Sequence, residues 1–90
     1  GSGMRVKILE AMALGKVVLT TTLGLEGIQA EHQKEVLLAD SKTQFLDQIS
    51  FCYEQNGTLQ KIGSAARKLI TEKYNRNHLA KELLNVLQSL

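Results

Sequence analysis

Ninety residues make room for one small domain, and a chain of that length buries only about 60–65% of the surface it exposes when unfolded, so its stability is modest. Hydrophobic residues at 43% and charged residues at 22% set it apart from disordered chains. A net charge of +2, from 11 basic and 9 acidic side chains, is too weak a bias to indicate nucleic acid or an anionic membrane, and two Phe, two Tyr and no Trp exclude a stacking platform for bases or sugars.

Residues 1–3 read as a small, flexible lead-in, part of it a candidate cloning remnant. Residues 4–14 read as a helix. Val6, Leu9 and Ala13, with Ile8 and Met12, recur at three- and four-residue spacing on more than one face, which predicts a largely buried helix. Gly15 stands where a C-cap glycine belongs. Residues 17–20, Val17-Val18-Leu19-Thr20, form a short run without alternation, as suits a strand covered on both faces in a parallel sheet. Residues 21–35 are loop-like, and Val36-Leu37-Leu38-Ala39 forms a second short strand.

Helices are expected from there to the end. Asp40 or Ser41 caps the first of them, and Gln44 completes a capping box with Ser41. Phe45, Ile49 and Cys52 or Tyr53 line its inward face, and Asn56-Gly57 stops it. Thr58 caps the next, with Leu59, Ile62, Ala66, Leu69 and Ile70 inward. Asn75 caps the last, whose leucine stripe, including Leu79, Leu83 and Leu87, has the spacing of packing rather than of a lipid anchor. The fold class is therefore α/β, a short parallel sheet of about two strands with four helices. Two strands do not make an independent sheet. Strands that read as buried on both faces need further neighbours, so a fragment of a larger domain is expected, associating as a homo-oligomer through uncovered strand edges.

Cys52, the only cysteine, reads as a small core residue in a reduced, cytoplasmic setting. No His/Cys spacing suggests a metal site, and neither a metal nor a cofactor is expected. No signal peptide and no apolar run of about 18 residues is visible. His32, in a polar loop, and His78, in the first turn of the last helix, have no sequence partner and read as structural or solvent-facing. No G-x-G-x-x-G follows a strand and no P-loop is present, which weakens a receiver-like or other nucleotide-binding reading.

The run Leu9-Glu10-Ala11-Met12-Ala13-Leu14-Gly15-Lys16-Val17-Val18-Leu19-Thr20, preceded by Gly3-Met4-Arg5, is similar to the donor-binding signature of retaining glycosyltransferases of the GT-B architecture. That signature is a Gly-rich loop, a helix containing Leu-Glu-Ala-Met-Ala, a Gly, then a Val-rich strand ending in Thr or Ser. Gly24-Leu25-Glu26-Gly27-Ile28, Ala66-Arg67-Lys68 and Tyr74 continue the resemblance, which covers essentially the whole chain in order. It implies transfer of a sugar from a nucleotide diphosphate sugar, a UDP- or GDP-sugar, to an acceptor hydroxyl with retained anomeric configuration, in a cleft between two Rossmann-like domains. Residues 1–90 would be the C-terminal part of the donor-binding domain: a partial Rossmann-like unit, inactive alone, whose missing partner is the N-terminal domain. Any membrane association would come through the parent enzyme.

The leaving group of such a transfer gathers negative charge on its β-phosphate. A helix N-terminus offers unpaired N–H groups and the positive end of a dipole, and glycine lets the phosphate come close. Gly3, Met4 and Arg5 are placed to do this, with Arg5 adding a direct charge contact. Glu10 matches the family carboxylate that accepts hydrogen bonds from a ribose diol. Lys7 and Thr21 are weaker candidates for the same ligand. The competing readings are an i,i+3 pair of Glu10 with Lys7, a strand-end role for Thr20, Thr21 and Thr22, and a turn-stabilising role for Glu26. The family pattern has a first glutamate eight residues before the one matched by Glu10, at a position that is Ser2 in this chain. Either this branch does without it, or residues 1–2 come from a vector; the first-glutamate role is not carried over, and no catalytic residue is assigned. A non-catalytic interaction module remains the alternative from another class.

Overall fold

The structure, a computed structural model, describes residues 2–73 together with Lys81, Leu84, Asn85, Leu87 and Gln88. Its order is α1 (Ser2–Ala13), β1 (Leu19–Thr20), β2 (Leu37–Leu38), α2 (Lys42–Glu54) and α3 (Asn56–Lys73). It is an α/β unit with a two-stranded parallel sheet and three helices among the described residues, consistent with part of a Rossmann-like domain. The fourth helix expected over residues 75–90 falls mostly outside them.

Leu, Met, Ala, Arg, Lys and Glu fill α1, all strong helix formers. The helix starts at Ser2, two residues earlier than the sequence suggests, so Gly3 already lies in its first turn. It ends in a Schellman turn. Gly15 takes φ +75°, its N–H donates to the Met12 carbonyl at 3.0 Å, and the Lys16 N–H donates to the Ala11 carbonyl at 3.0 Å. The turn sends the chain back along the helix as β1.

The strands pair Leu19 with Leu37 and Thr20 with Leu38, and bonds from Leu37 N–H to Val18 O (2.9 Å) and Ala39 N–H to Thr20 O (3.0 Å) extend the ladder. Both strands are shorter than expected, and β1 is half-buried rather than covered on both faces. The crossover over residues 21–36 contains no helix. It reaches the core through Leu25 and Ile28 and closes with a turn in which the buried Glu35 carboxylate accepts the Glu31 N–H at 3.0 Å. His32 Nδ1 accepts the Leu38 N–H at 2.9 Å, so the crossover also caps the outer edge of β2. This gives His32 a structural role, as the sequence suggests.

Ile8, Leu9 and Met12 of α1 meet Ala66 and Ile70 of α3 over Leu25, Ile28 and Val36. The inward residues expected of α3 are confirmed: Ile62, Ala66 and Ile70 are buried, and Leu59 and Leu69 are half-buried. Gly63 lies directly against the carbonyl of Gly15, where a Cβ would collide with backbone.

Two expectations for α2 are corrected. Phe45, Ile49 and Tyr53 are 46%, 48% and 89% exposed, and no residue of the helix is buried. The helix leans on β2 and α3 only at its flank, where Gln48, Phe51 and Cys52 are half-buried. Second, Asn56-Gly57 does not stop a helix but opens α3. The break is the single residue Gln55 at φ −120°, ψ 54°, whose carbonyl accepts the Leu59 N–H at 3.0 Å, and Thr58 is inside the first turn rather than its cap. The Ser41 cap is as expected: its Oγ accepts the Gln44 N–H at 3.1 Å, and Gln44 Oε1 reaches back to the Asp40 N–H at 2.8 Å.

The glycines of α3 separate by this geometry. Gly63→Ala drives a Cβ into the Gly15 backbone and should lower unfolding free energy by about 1–3 kcal/mol, the usual cost of overpacking. Gly57→Ala meets nothing within 4 Å at an ordinary helical φ, and should raise it by roughly 0.5–1 kcal/mol. Urea denaturation of the two variants checks both signs.

Candidate functional site

Because Gly15 reverses the chain, the start of α1 and the C-terminal ends of both parallel strands fall on one edge. Open α/β sheets carry their ligands at that edge. Here it holds an open cleft of about 730 Å³. Met4 and Arg5 form the helix side; Thr21, Leu23, Gly24, Glu26 and Gly27 form the loop side. A smaller cleft of about 350 Å³ adjoins it, sharing Thr21 and bounded by Asp40, Ser41 and Phe45.

On the helix side, the first-turn N–H groups at Gly3 and Met4 have no intrahelical acceptor and point along the positive end of the dipole. Gly3 is exposed, and a Cβ there would meet none of the described residues within 4 Å, so none of them requires glycine. Met4 is 54% exposed. Arg5 is half-buried and spans the cleft floor, its Nη2 donating to the Gly27 carbonyl at 3.4 Å. A Cβ on Gly27, which has φ +88°, would lie 2.9 Å from Arg5 Nη1. Glycine there satisfies two demands at once, a left-handed backbone and room for the guanidinium.

Hydrogen bonds give the loop side its shape. Thr21 Oγ1 accepts the Gly24 N–H at 2.9 Å and Thr21 O accepts the Leu25 N–H at 3.1 Å. Thr22 donates both its N–H, at 2.8 Å, and its hydroxyl to the carboxylate of Asp40, two residues past β2. Those bonds, the hydroxyl first and the N–H second, hold the Asp40 carboxyl below its ordinary value of 3.8.

Of the six residues the sequence singled out, Met4, Arg5 and Thr21 come together in this cleft. Gly3, Lys7 and Glu10 do not line it. All three are exposed, and at 3.6 residues per turn they fall within about 60° of one another on the face of α1 opposite the core. Sequence reasoning missed Asp40, read only as a helix cap, and Thr22, read as a strand-end residue; their contact spans 18 positions and leaves no local signal. Among the described residues no group of three His, Cys, Asp or Glu side chains gathers as for a metal, and no helix is long and apolar enough to cross a membrane.

An α/β unit with an open cleft at the strand ends, walled by a helix start, belongs to the class of folds that hold ligands at a sheet edge. Within that class, a family model described as glycosyl transferase-like matches residues 1–85, and the chain belongs to that family. No curated protein and no solved structure matches it.

The contact between Thr22 and Asp40 sets a pH dependence. A carboxyl whose folded value is depressed stabilises the fold fully above its unfolded value near 3.8, and that contribution is lost as pH falls through the lower folded value. Urea midpoints measured from neutral to strongly acidic pH should therefore place Asp40→Asn below the unmutated chain at neutrality, with the gap closing at the acid end. A gap that widens on acidification would contradict this assignment.

Proposed function

We propose that the cleft between the start of α1 and residues 21–27 receives the diphosphate of a nucleotide sugar, and that the chain is the C-terminal part of the donor-binding domain of a retaining GT-B glycosyltransferase. The observation carrying this reading is the convergence of Met4, Arg5 and Thr21, distant in sequence, on one edge cleft in a chain of the glycosyl transferase-like family. The N–H groups of Gly3 and Met4 and the Arg5 guanidinium meet the phosphates. Glu10 accepts the ribose diol on the outer face of α1, with Lys7 a turn nearer the phosphates. Thr21 offers a hydroxyl from the opposite wall. These groups hold a donor, and none supplies a nucleophile or general base. The acceptor and the remaining donor contacts come from an N-terminal domain and upstream strands, so the chain is inactive alone.

Adding UDP or GDP to the ¹⁵N-labelled chain should shift amides within residues 3–10 and 21–27. Glu10→Gln, at an exposed position, should weaken binding roughly five- to thirtyfold, about 1–2 kcal/mol for exchanging a charge-assisted hydrogen bond for a neutral one. Shifts confined to α2 and α3 would defeat the reading.

A second copy of the chain is a further proposed partner. The support is the stripe Phe45, Leu46, Ile49 and Tyr53 on α2, each at least 46% exposed. The sequence suggests strand edges for this role, but the outer edge of β2 is covered by its own crossover, so the apolar helix face is the better contact. Sedimentation at high micromolar concentration should show a dimer that Ile49→Glu returns to monomer. A monomer throughout would exclude it.

A further inference from the structure

The loop wall of the cleft has uneven support. From Leu25 onward it is anchored by burial, with Leu25 and Ile28 in the core. Before Leu25 it is not: Thr21, Thr22 and Leu23 are exposed, Leu23 at 78%, and Gly24 has no side chain to bury. The shape of that stretch therefore depends on hydrogen bonds, and its one long-range side-chain anchor runs from Thr22 to Asp40.

We propose that Asp40 is the positioning residue of this cleft, fixing the turn of residues 21–24 against α1 by accepting both the N–H and the hydroxyl of Thr22. The inference rests on the reading of the cleft as the donor site. Three features converge on it. The two bonds hold one residue at two atoms, which fixes its backbone orientation as well as its position. The residue they hold directly follows Thr21, which lines both clefts and whose hydroxyl organises the turn by accepting the Gly24 N–H. Asp40 bounds only the smaller cleft and does not line the larger one, so on the larger cleft it acts through Thr22. Its carboxylate is available because Ser41, one residue later, supplies the cap of α2. The crowded approach of Gly24 to the Thr20 hydroxyl, where a Cβ would collide, shows how tightly the turn is folded over the strand end.

The test compares Asp40→Ala, Thr22→Val and Thr22→Ser in the whole chain, by amide hydrogen exchange without ligand and by UDP and GDP affinity. Asp40→Ala and Thr22→Val should speed exchange at Thr22, Gly24 and Leu25 about tenfold or more while core amides of α1 and α3 keep their protection. UDP or GDP binding should weaken roughly five- to thirtyfold in the same variants. Thr22→Ser, which retains both donors, should restore both readouts. Unchanged exchange at the turn in Asp40→Ala would overturn the proposal. So would faster exchange with unchanged affinity. If the unmutated chain binds neither nucleotide, the donor-site reading fails, and the anchor is decided by exchange alone.

Discussion

The left-handed turn at Gly15 is the constraint on which the rest of the unit depends. It turns the chain back at the end of α1, so Thr21, just past β1, shares a cleft with Met4 and Arg5 at the start of that helix. The same residue offers its carbonyl to Gly63 at a distance that admits no side chain, which sets how closely α3 approaches. One backbone conformation thus fixes two neighbours of α1, the sheet and the second helix. Ile8, Leu9 and Met12 then fill the space between with buried apolar surface. A β-branched or bulky residue at position 15 would strain the turn, and the edge cleft would lose its alignment with it.

The two walls of the cleft are held by different physics. Its helix side belongs to a helix anchored in the core, because α1 buries Ile8, Leu9 and Met12 in the turns that follow its first. The loop side is anchored by burial only from Leu25 onward; before it, polar contacts to Asp40 and within the turn at Thr21 hold it, each at modest net energy. Core burial responds little to pH or ligand, whereas exposed hydrogen bonds respond to both.

Much of this was legible in the sequence, for local reasons. Gly15 after an apolar helix, Ser41 with Gln44, and the Ile62, Ala66 and Ile70 spacing are signals contained within a few residues, and each appears as expected. The inward face of α2 was misread because periodicity reports that a stripe exists and not what covers it. Phe45, Ile49 and Tyr53 make an exposed stripe; of the expected inward residues only Cys52 is half-buried, beside Gln48 and Phe51. Asn56-Gly57 misled in the same way. It is a breaker pair by propensity, but the break falls at Gln55 and the pair opens the next helix, where first-turn N–H groups need no intrahelical partner. Within the cleft, Met4, Arg5 and Thr21 were recoverable from a family resemblance. The contact from Thr22 to Asp40 was not, since it exists only once two parallel strands lie side by side.

The weak net charge of the chain fits a site of this kind. A net charge of +2 rules out a broad electrostatic field, yet a diphosphate in an edge cleft does not need one. Near the start of α1 the positive contributions are local: first-turn N–H groups, the helix dipole, Arg5 within the cleft and Lys7 one turn on. Glu26 on the loop wall and Glu10 further along the outer face set a limit to that region. Directional N–H donors favour a phosphate oxygen at one position over a diffuse cloud of anions, while a carboxylate beyond them favours a neutral hydroxylated group over a second phosphate. In the proposed function that gradient along α1 orients a nucleotide sugar, with its diphosphate at the helix start and its ribose toward Glu10. Discrimination of this kind comes from the placement of a few groups along one helix, which is why it leaves so little trace in the overall composition.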